Sequence, residues 1–223
     1  MKTITKIRLL NSLRLFNPIR SIYYDWQARN AQISAFYGQF INKGQLCFDI
    51  GANIGRKVQI FLNLGAQVIA VEPQQECANF LKKKYHTNPR VTIVNKALAA
   101  QLGQKEIFMC EVNSLASMSQ EWIDASKKNA RAKDFEWNKK SLIATTTLDE
   151  LIKTYGKPHF CKIDVEGYEL HVLKGLSEPI PMLSLELAPE SRQVTDQCID
   201  YLNTLGQIKF NIAAGETATK FDL

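Results

Sequence analysis

Residues 46–55, Leu46-Cys47-Phe48-Asp49-Ile50-Gly51-Ala52-Asn53-Ile54-Gly55, decide how this chain folds. An apolar strand, Leu46 to Ile50, runs into two glycines four positions apart, and a helix-forming segment follows. Strand, tight turn and helix N-terminus in succession make the corner at which α/β folds bring backbone close to a nucleotide. A second apolar strand, Val68 to Val71, is closed by Glu72, 23 residues after Asp49. An acid about 20 residues beyond a glycine turn has the spacing that grips ribose hydroxyls. The glycine spacing narrows the ligand further. A dinucleotide fingerprint, G-x-G-x-x-G, counted from Gly51 needs glycine at 53 and 56, where the chain has Asn53 and Arg56. The phosphate loop G-x-x-x-x-G-K-[ST] is absent as well. A structural corner that needs glycine only for positive φ is the competing reading of the turn, and Glu72 in register weighs against it.

At 223 residues and 45% hydrophobic, the chain suits one globular domain with perhaps one appendage. No apolar run reaches the length of a membrane span. Asn11, Ser12 and Arg14 interrupt the stretch that a secretory signal would need. Five scattered cysteines without C-x-x-C spacing read as small buried hydrophobes and point to a reducing cytosol. The net charge of +6 is uneven: residues 1–33 hold six basic side chains against Asp25, a local +5. Such a basic arm, with Ile7, Leu10 and Leu13 recurring every three residues, suits an anionic membrane surface or nucleic acid. We favour a plainer reading, in which residues 1–44 form a helical cover over one edge of the ligand site and residues 45–223 form the main domain.

Beyond residue 44 apolar strands alternate with helices, which predicts a mainly parallel twisted sheet with helices on both faces. The strands are expected at 46–50, 68–71, 91–94, 160–164 and 183–187. The helices are expected at 54–64, 75–85, 147–155, 167–173 and 190–205. Residues 105–111 look like an extra strand, and 113–140 like an inserted lid or binding loop. A last strand is expected at 208–212.

A second constellation, Lys162-Ile163-Asp164-Val165-Glu166-Gly167-Tyr168-Glu169, closes the fourth parallel strand. Asp49, Glu72, Asp164 and Glu186 then fall at strand carboxyl ends, the edge where open α/β sheets bind ligands. Clustered carboxylates are costly unless a cation sits among them. A sulfonium with an ammonium would serve, as would a divalent metal held by hard oxygen ligands, although we assign no metal ligands.

Several blocks together, in order from about residue 46 to 190, resemble the FkbM family of methyltransferases. They are Asp49–Gly55, Val71-Glu72-Pro73, Asn95-Lys96-Ala97-Leu98, Thr147-Leu148-Asp149, Lys162–Glu169 and Val172-Leu173-Lys174-Gly175-Leu176. The resemblance implies a Rossmann-like class I fold and O-methylation, often of sugars or secondary metabolites, with S-adenosyl-L-methionine as cofactor. It implies that Glu72 takes the ribose hydroxyls and that Gly51, Ala52, Asn53 and Gly55 line the ligand. Asp49 would order the turn or reach the cofactor's amino-acid end, and Lys96 and Ala97 would flank the adenine. Removal of the acceptor's proton falls to Asp164 first and Glu166 second. The competing roles are an ammonium contact for Asp164 and a helix cap for Glu166. Two features depart from the family pattern. Arg56-Lys57 replace an uncharged residue and a threonine or serine, and the terminal antiparallel strand is missing or reduced to the last few residues.

The expected partner is a small hydroxylated acceptor. A nucleic-acid methyltransferase is disfavoured because the acidic Asp164-Val165-Glu166 stretch would repel phosphates. A module that binds cofactor without turnover is the non-enzymatic alternative.

Overall fold

The computed structural model describes residues 30–128, 132–186, 192–213 and 216. Most of the expected basic arm lies outside the described residues. Residues 30–37 are helical (α1), and β1 (Leu46–Ile50), α2 (Arg56–Asn63), β2 (Gln67–Val71), α3 (Gln75–Lys84) and β3 (Val91–Val94) follow. Next come β4 (Ala97–Leu98), β5 (Gly103–Met109), a 3-10 turn at Asn113–Leu115, α4 (Gln120–Lys128) and β6 (Lys139–Thr146). The chain continues through α5 (Leu148–Tyr155), β7 (Phe160–Ile163), α6 (Glu169–Leu173), β8 (Met182–Leu185) and α7 (Arg192–Leu205).

Strands β3, β2, β1, β7 and β8 lie side by side in that order, and every pair is parallel. The chain works outward from β1 to β3, then crosses to β7 on the other side of β1. That reversal opens a crevice at the carboxyl ends of β1 and β7. Ile50 is in register with both Val71 and Ile163, so Gly51, Glu72 and Asp164 leave the sheet at one level.

Side-chain alternation builds two cores. Phe48, Ile50, Ile69, Val71, Cys161 and Ile163 pack against Leu148 and Leu151 of α5, Val172 of α6 and Leu202 of α7. Cys47, Val68, Ala70 and Phe160 pack on the opposite face against Ile33 and Tyr37 of α1, Val58 and Phe61 of α2, and Leu81 of α3. Full burial of each large apolar side chain contributes about 1.5–3 kcal/mol. Strands apolar on both faces therefore require helices on both faces, and this is the Rossmann-like α/β class expected from the sequence.

Local signals place the helix starts. Thr147 caps α5 by accepting the Glu150 N–H at 3.1 Å. Gly55 precedes α2 at φ 77, and a Cβ there would stand 2.6 Å from Leu81 Cδ2. Glycine is thus needed both for the turn and for the seating of α3 against it.

Three expectations change. The segment 113–140 is not a bare loop, because it holds the 3-10 turn and α4 and runs into β6. Strand β6 was not anticipated; it pairs antiparallel with β5 and parallel with β4 in a separate three-stranded sheet. Residues 208–212 form no strand: 207–213 carry no regular structure, and Ile212 is 93% exposed. Ile208 packs on the core while Phe210 and Ile212 face outward, with no described strand alongside to satisfy their backbone.

Candidate active site

A cleft of about 640 Å³, its open mouth included, lies outside the carboxyl ends of the strands. Of the residues singled out from the sequence, Gly51, Asn53, Glu72, Lys96, Ala97, Asp164 and Glu166 line it. Asp49, Ala52 and Gly55 do not. Ala52 is packed in the core beneath α2, and Gly55 contacts α3. Residues of the inserted segment, among them Asn113, Ser117 and Met118, form the facing wall.

Glu72 is held rigidly. One carboxylate oxygen accepts the Asn53 N–H at 2.7 Å and the other accepts the Gln74 N–H at 2.8 Å. Asn95 Nδ2 donates to the carbonyls of Glu72 and Pro73, fixing the strand end from β3. Burial pushes the Glu72 carboxyl upward, and the two amides oppose that. Each oxygen keeps a second acceptor position for a ligand hydroxyl. Gln74 donates to the Asn113 carbonyl at 2.8 Å, while its own side-chain oxygen is buried on the cleft wall without a partner among the described residues.

The acidic rim contains its own cation. Lys162 is 3% exposed, and its ammonium lies 2.6 Å from Asp164 Oδ2 and 4.0 Å from Glu186 Oε2. Burial alone would lower the lysine, but Asp164 and Asp49 more than reverse this and hold the ammonium above its usual range. Asp49, beside Lys162 in the sheet, has no hydrogen-bond partner for either oxygen among the described residues. Burial raises its carboxyl to about 6; Lys162 and Lys57 resist, Asp164 adds to the rise, and the Val58 amide dipole favours the ionised form. Among the described residues, no group of three or more His, Cys, Asp and Glu side chains is arranged to hold a metal ion.

The loop after β7 has its own clamp. Glu169 Oε1 accepts the N–H groups of Val165 and Gly167, both at 3.2 Å. The cap envisaged for Glu166 is not found among the described residues: α6 starts without a side-chain cap, and Glu169 instead ties down the loop that precedes it, in which Glu166 adopts φ 50. Ser117 Oγ donates to the Glu166 carbonyl at 2.6 Å, and Trp122 packs where a Gly167 Cβ would stand, 2.4 Å away. Burial, then Asp164 and Glu186, push the Glu166 carboxyl up to about 8. His171 stacks on Tyr168 with ring centroids 4.2 Å apart and takes no part in the cleft.

Lys162, Glu169, Gln74 and Ser117 were not assigned roles from the sequence. Lys162 and Glu169 stand inside the quoted block, and alternation along β7 offered one signal, since it directs Lys162 to the same side as Phe160. Their partners lie only two to four residues away, but strand alternation alone does not predict that these side chains turn back onto them.

The Methyltransferase FkbM domain model matches residues 49–193, more than half of the chain. The chain belongs to the FkbM methyltransferase family. The matched span runs from the last two residues of β1 through β8 and holds every residue assigned above to the cleft. No curated protein sequence matches the chain. Two solved structures are similar to parts of it. One is a provisionally assigned rRNA methylase from Clostridium thermocellum, at 18% identity and a TM-score of 0.27, covering 30% of this chain and 39% of that one. The other is precorrin-6y C5,15-methyltransferase from Geobacter metallireducens GS-15, at 11% identity and a TM-score of 0.45, covering 78% of this chain and 69% of that one. Among the described residues no helix is long and apolar enough to cross a membrane.

Proposed function

We propose that this FkbM-family methyltransferase is an S-adenosylmethionine-dependent O-methyltransferase acting on a small hydroxylated acceptor such as a sugar, glycolipid or secondary metabolite. The observation that carries the reading is Glu72, a buried carboxylate fixed by two backbone amides at the rim of the cleft, level with the glycine turn. The cleft chemistry fits the cofactor. An acid offers free acceptor positions to ribose hydroxyls, the orphaned Gln74 oxygen offers another, and the acidic rim favours a cationic ligand. When bound, S-adenosylmethionine supplies an electrophilic methyl group on sulfur.

The chain's own part is alignment and proton handling. In-line displacement rewards a fixed acceptor oxygen. The wall from Asn113 to Met118 and the loop after β7 border the space beside Asp164 and Glu166. Asp164 has one oxygen committed to Lys162, which weakens it as a base. Glu166, with its carboxyl raised to about 8, is the better matched proton acceptor near neutral pH. Buried free cysteines suit a reducing compartment, and we assign the protein to the cytosol.

The test is transfer of labelled methyl groups from S-adenosylmethionine to a panel of sugars, glycolipids and phenols between pH 6 and 9, with and without EDTA. Activity is expected to rise with pH toward a plateau above about 8, to persist in EDTA and to lose its pH dependence in Glu166→Gln. Methyl transfer confined to amines or nucleic acid would overturn the acceptor class.

A further inference from the structure

Lys57 is the residue that departs from the family pattern, and its surroundings give it a use. It lies in the first turn of α2, and its ammonium contacts Oε1 of Glu216. The same oxygen accepts the Tyr37 hydroxyl at 2.6 Å. Lys57 Nζ also stands 5.5 Å from the Tyr37 ring centroid. Tyr37 is 2% exposed and is wedged edge-on against Phe61 and Phe160, with centroids 5.1 and 5.7 Å away. Its hydroxyl is therefore fixed before any ligand arrives. A hydroxyl and an ammonium on two rigid helices converge on one carboxylate oxygen.

The occupant is weakly justified as a permanent resident. Glu216 is 159 positions from Lys57, beyond a stretch, 207–213, with no regular structure. It adds another acid to a rim that already holds Asp49, Asp164 and Glu186. Burial, and then Lys162, push the Lys57 ammonium down to about 8, with Glu186 and Asp49 opposing the fall and Arg56 adding to it. Asp49, Glu186 and Asp164 of the acidic rim all act through space on Tyr37, and Asp164 also lines the cleft.

We propose that Lys57 and the Tyr37 hydroxyl form a carboxylate-binding subsite at the end of the cleft, and that Glu216 fills it until a ligand carboxylate displaces it. This rests on the cofactor reading above. The ligand carboxylate has two possible sources, the amino-acid end of the cofactor or an acidic group on the acceptor. A site blocked for most of the time by an internal competitor shows an affinity reduced by the blocked fraction. Removing the competitor should therefore tighten binding of the carboxylate-bearing ligand and of no other.

The experiment is calorimetry on the full chain with S-adenosylhomocysteine, with 5′-methylthioadenosine, which lacks the amino-acid end, and with malonate added to protein saturated with S-adenosylhomocysteine. Glu216→Gln is expected to tighten S-adenosylhomocysteine about tenfold and leave 5′-methylthioadenosine unchanged. Lys57→Met or Tyr37→Phe in the same background should remove the gain, and thermal melts check that each variant folds. A gain for malonate alone would assign the subsite to an acidic acceptor. Unchanged affinity for all three probes in Glu216→Gln would overturn the proposal. Failure of wild type and Glu216→Gln to bind either nucleoside would instead remove the cofactor reading on which it rests.

Discussion

Replacing Gly51 by alanine tests the close approach that makes the crevice. The added Cβ would stand 1.8 Å from the Asp164 carbonyl oxygen and 3.0 Å from its carbon, at φ +81. Left-handed backbone costs an L-residue about 1–2 kcal/mol. The obstacle is backbone, so the ends of β1 and β7 must part by about 1 Å, an overpacking cost of about 1–3 kcal/mol. The sum, about 2–5 kcal/mol, lowers Tm by roughly 4–20 °C for a chain of this size. Gly44→Ala is the matched control, because φ is +85 there and nothing lies within 4 Å of the new Cβ. It should lose only the conformational share, about 1–2 kcal/mol. Urea and thermal unfolding of both variants measure the difference, and S-adenosylhomocysteine titration should show lost binding in Gly51→Ala alone. Equal destabilisation of the two variants, within about 0.5 kcal/mol, would refute the close packing of the glycine turn on the Asp164 loop.

Two further outcomes follow from the charged rim. Burial raises the Asp49 carboxyl from its ordinary 3.8 to about 6, so its contribution to stability is full below about pH 4 and lost as pH rises through 6. Asp49→Asn should therefore flatten the stability profile between pH 4 and 6 and stabilise the protein by roughly 2–3 kcal/mol above that window, measured by urea unfolding at each pH. Lys162→Met leaves Asp164 and Glu186 without their cation and should cost about 3–5 kcal/mol at pH 7, measured by urea unfolding.

The sheet was legible because its strands are short apolar runs bounded by turn residues, and because a strand buried on both faces has no other use for Phe48, Ile69 or Cys161. Strand β6 was not, since it opens on Lys139-Lys140-Ser141, exposes Leu142 at 66%, and is held by pairing with β5 rather than by burial. The segment 208–212 fails for the converse reason: its alternation is right, but no described strand lies beside it. At the site, Gly51, Glu72 and Asp164 could be read from position at strand ends. The Glu169 clamp and the Ser117 bridge to Glu166 join side chains to loop backbone, and the Lys162–Asp164 pair, though two residues apart, needs the chain to leave the strand so that both side chains meet. Pattern alone does not encode such contacts. Two acids three positions apart in one loop look alike in sequence, and only the fold shows that Glu169 is the one committed to loop amides.

The account turns on Glu72 as the anchor of a nucleoside cofactor, and calorimetric titration of S-adenosylhomocysteine into wild type and Glu72→Ala tests it directly. Wild type is expected to bind one equivalent, and Glu72→Ala to bind at least about 150-fold more weakly, the value of two hydrogen bonds to a charged acceptor at about 1.5 kcal/mol or more each. Equal affinity in the two proteins, or no binding to wild type, would contradict it.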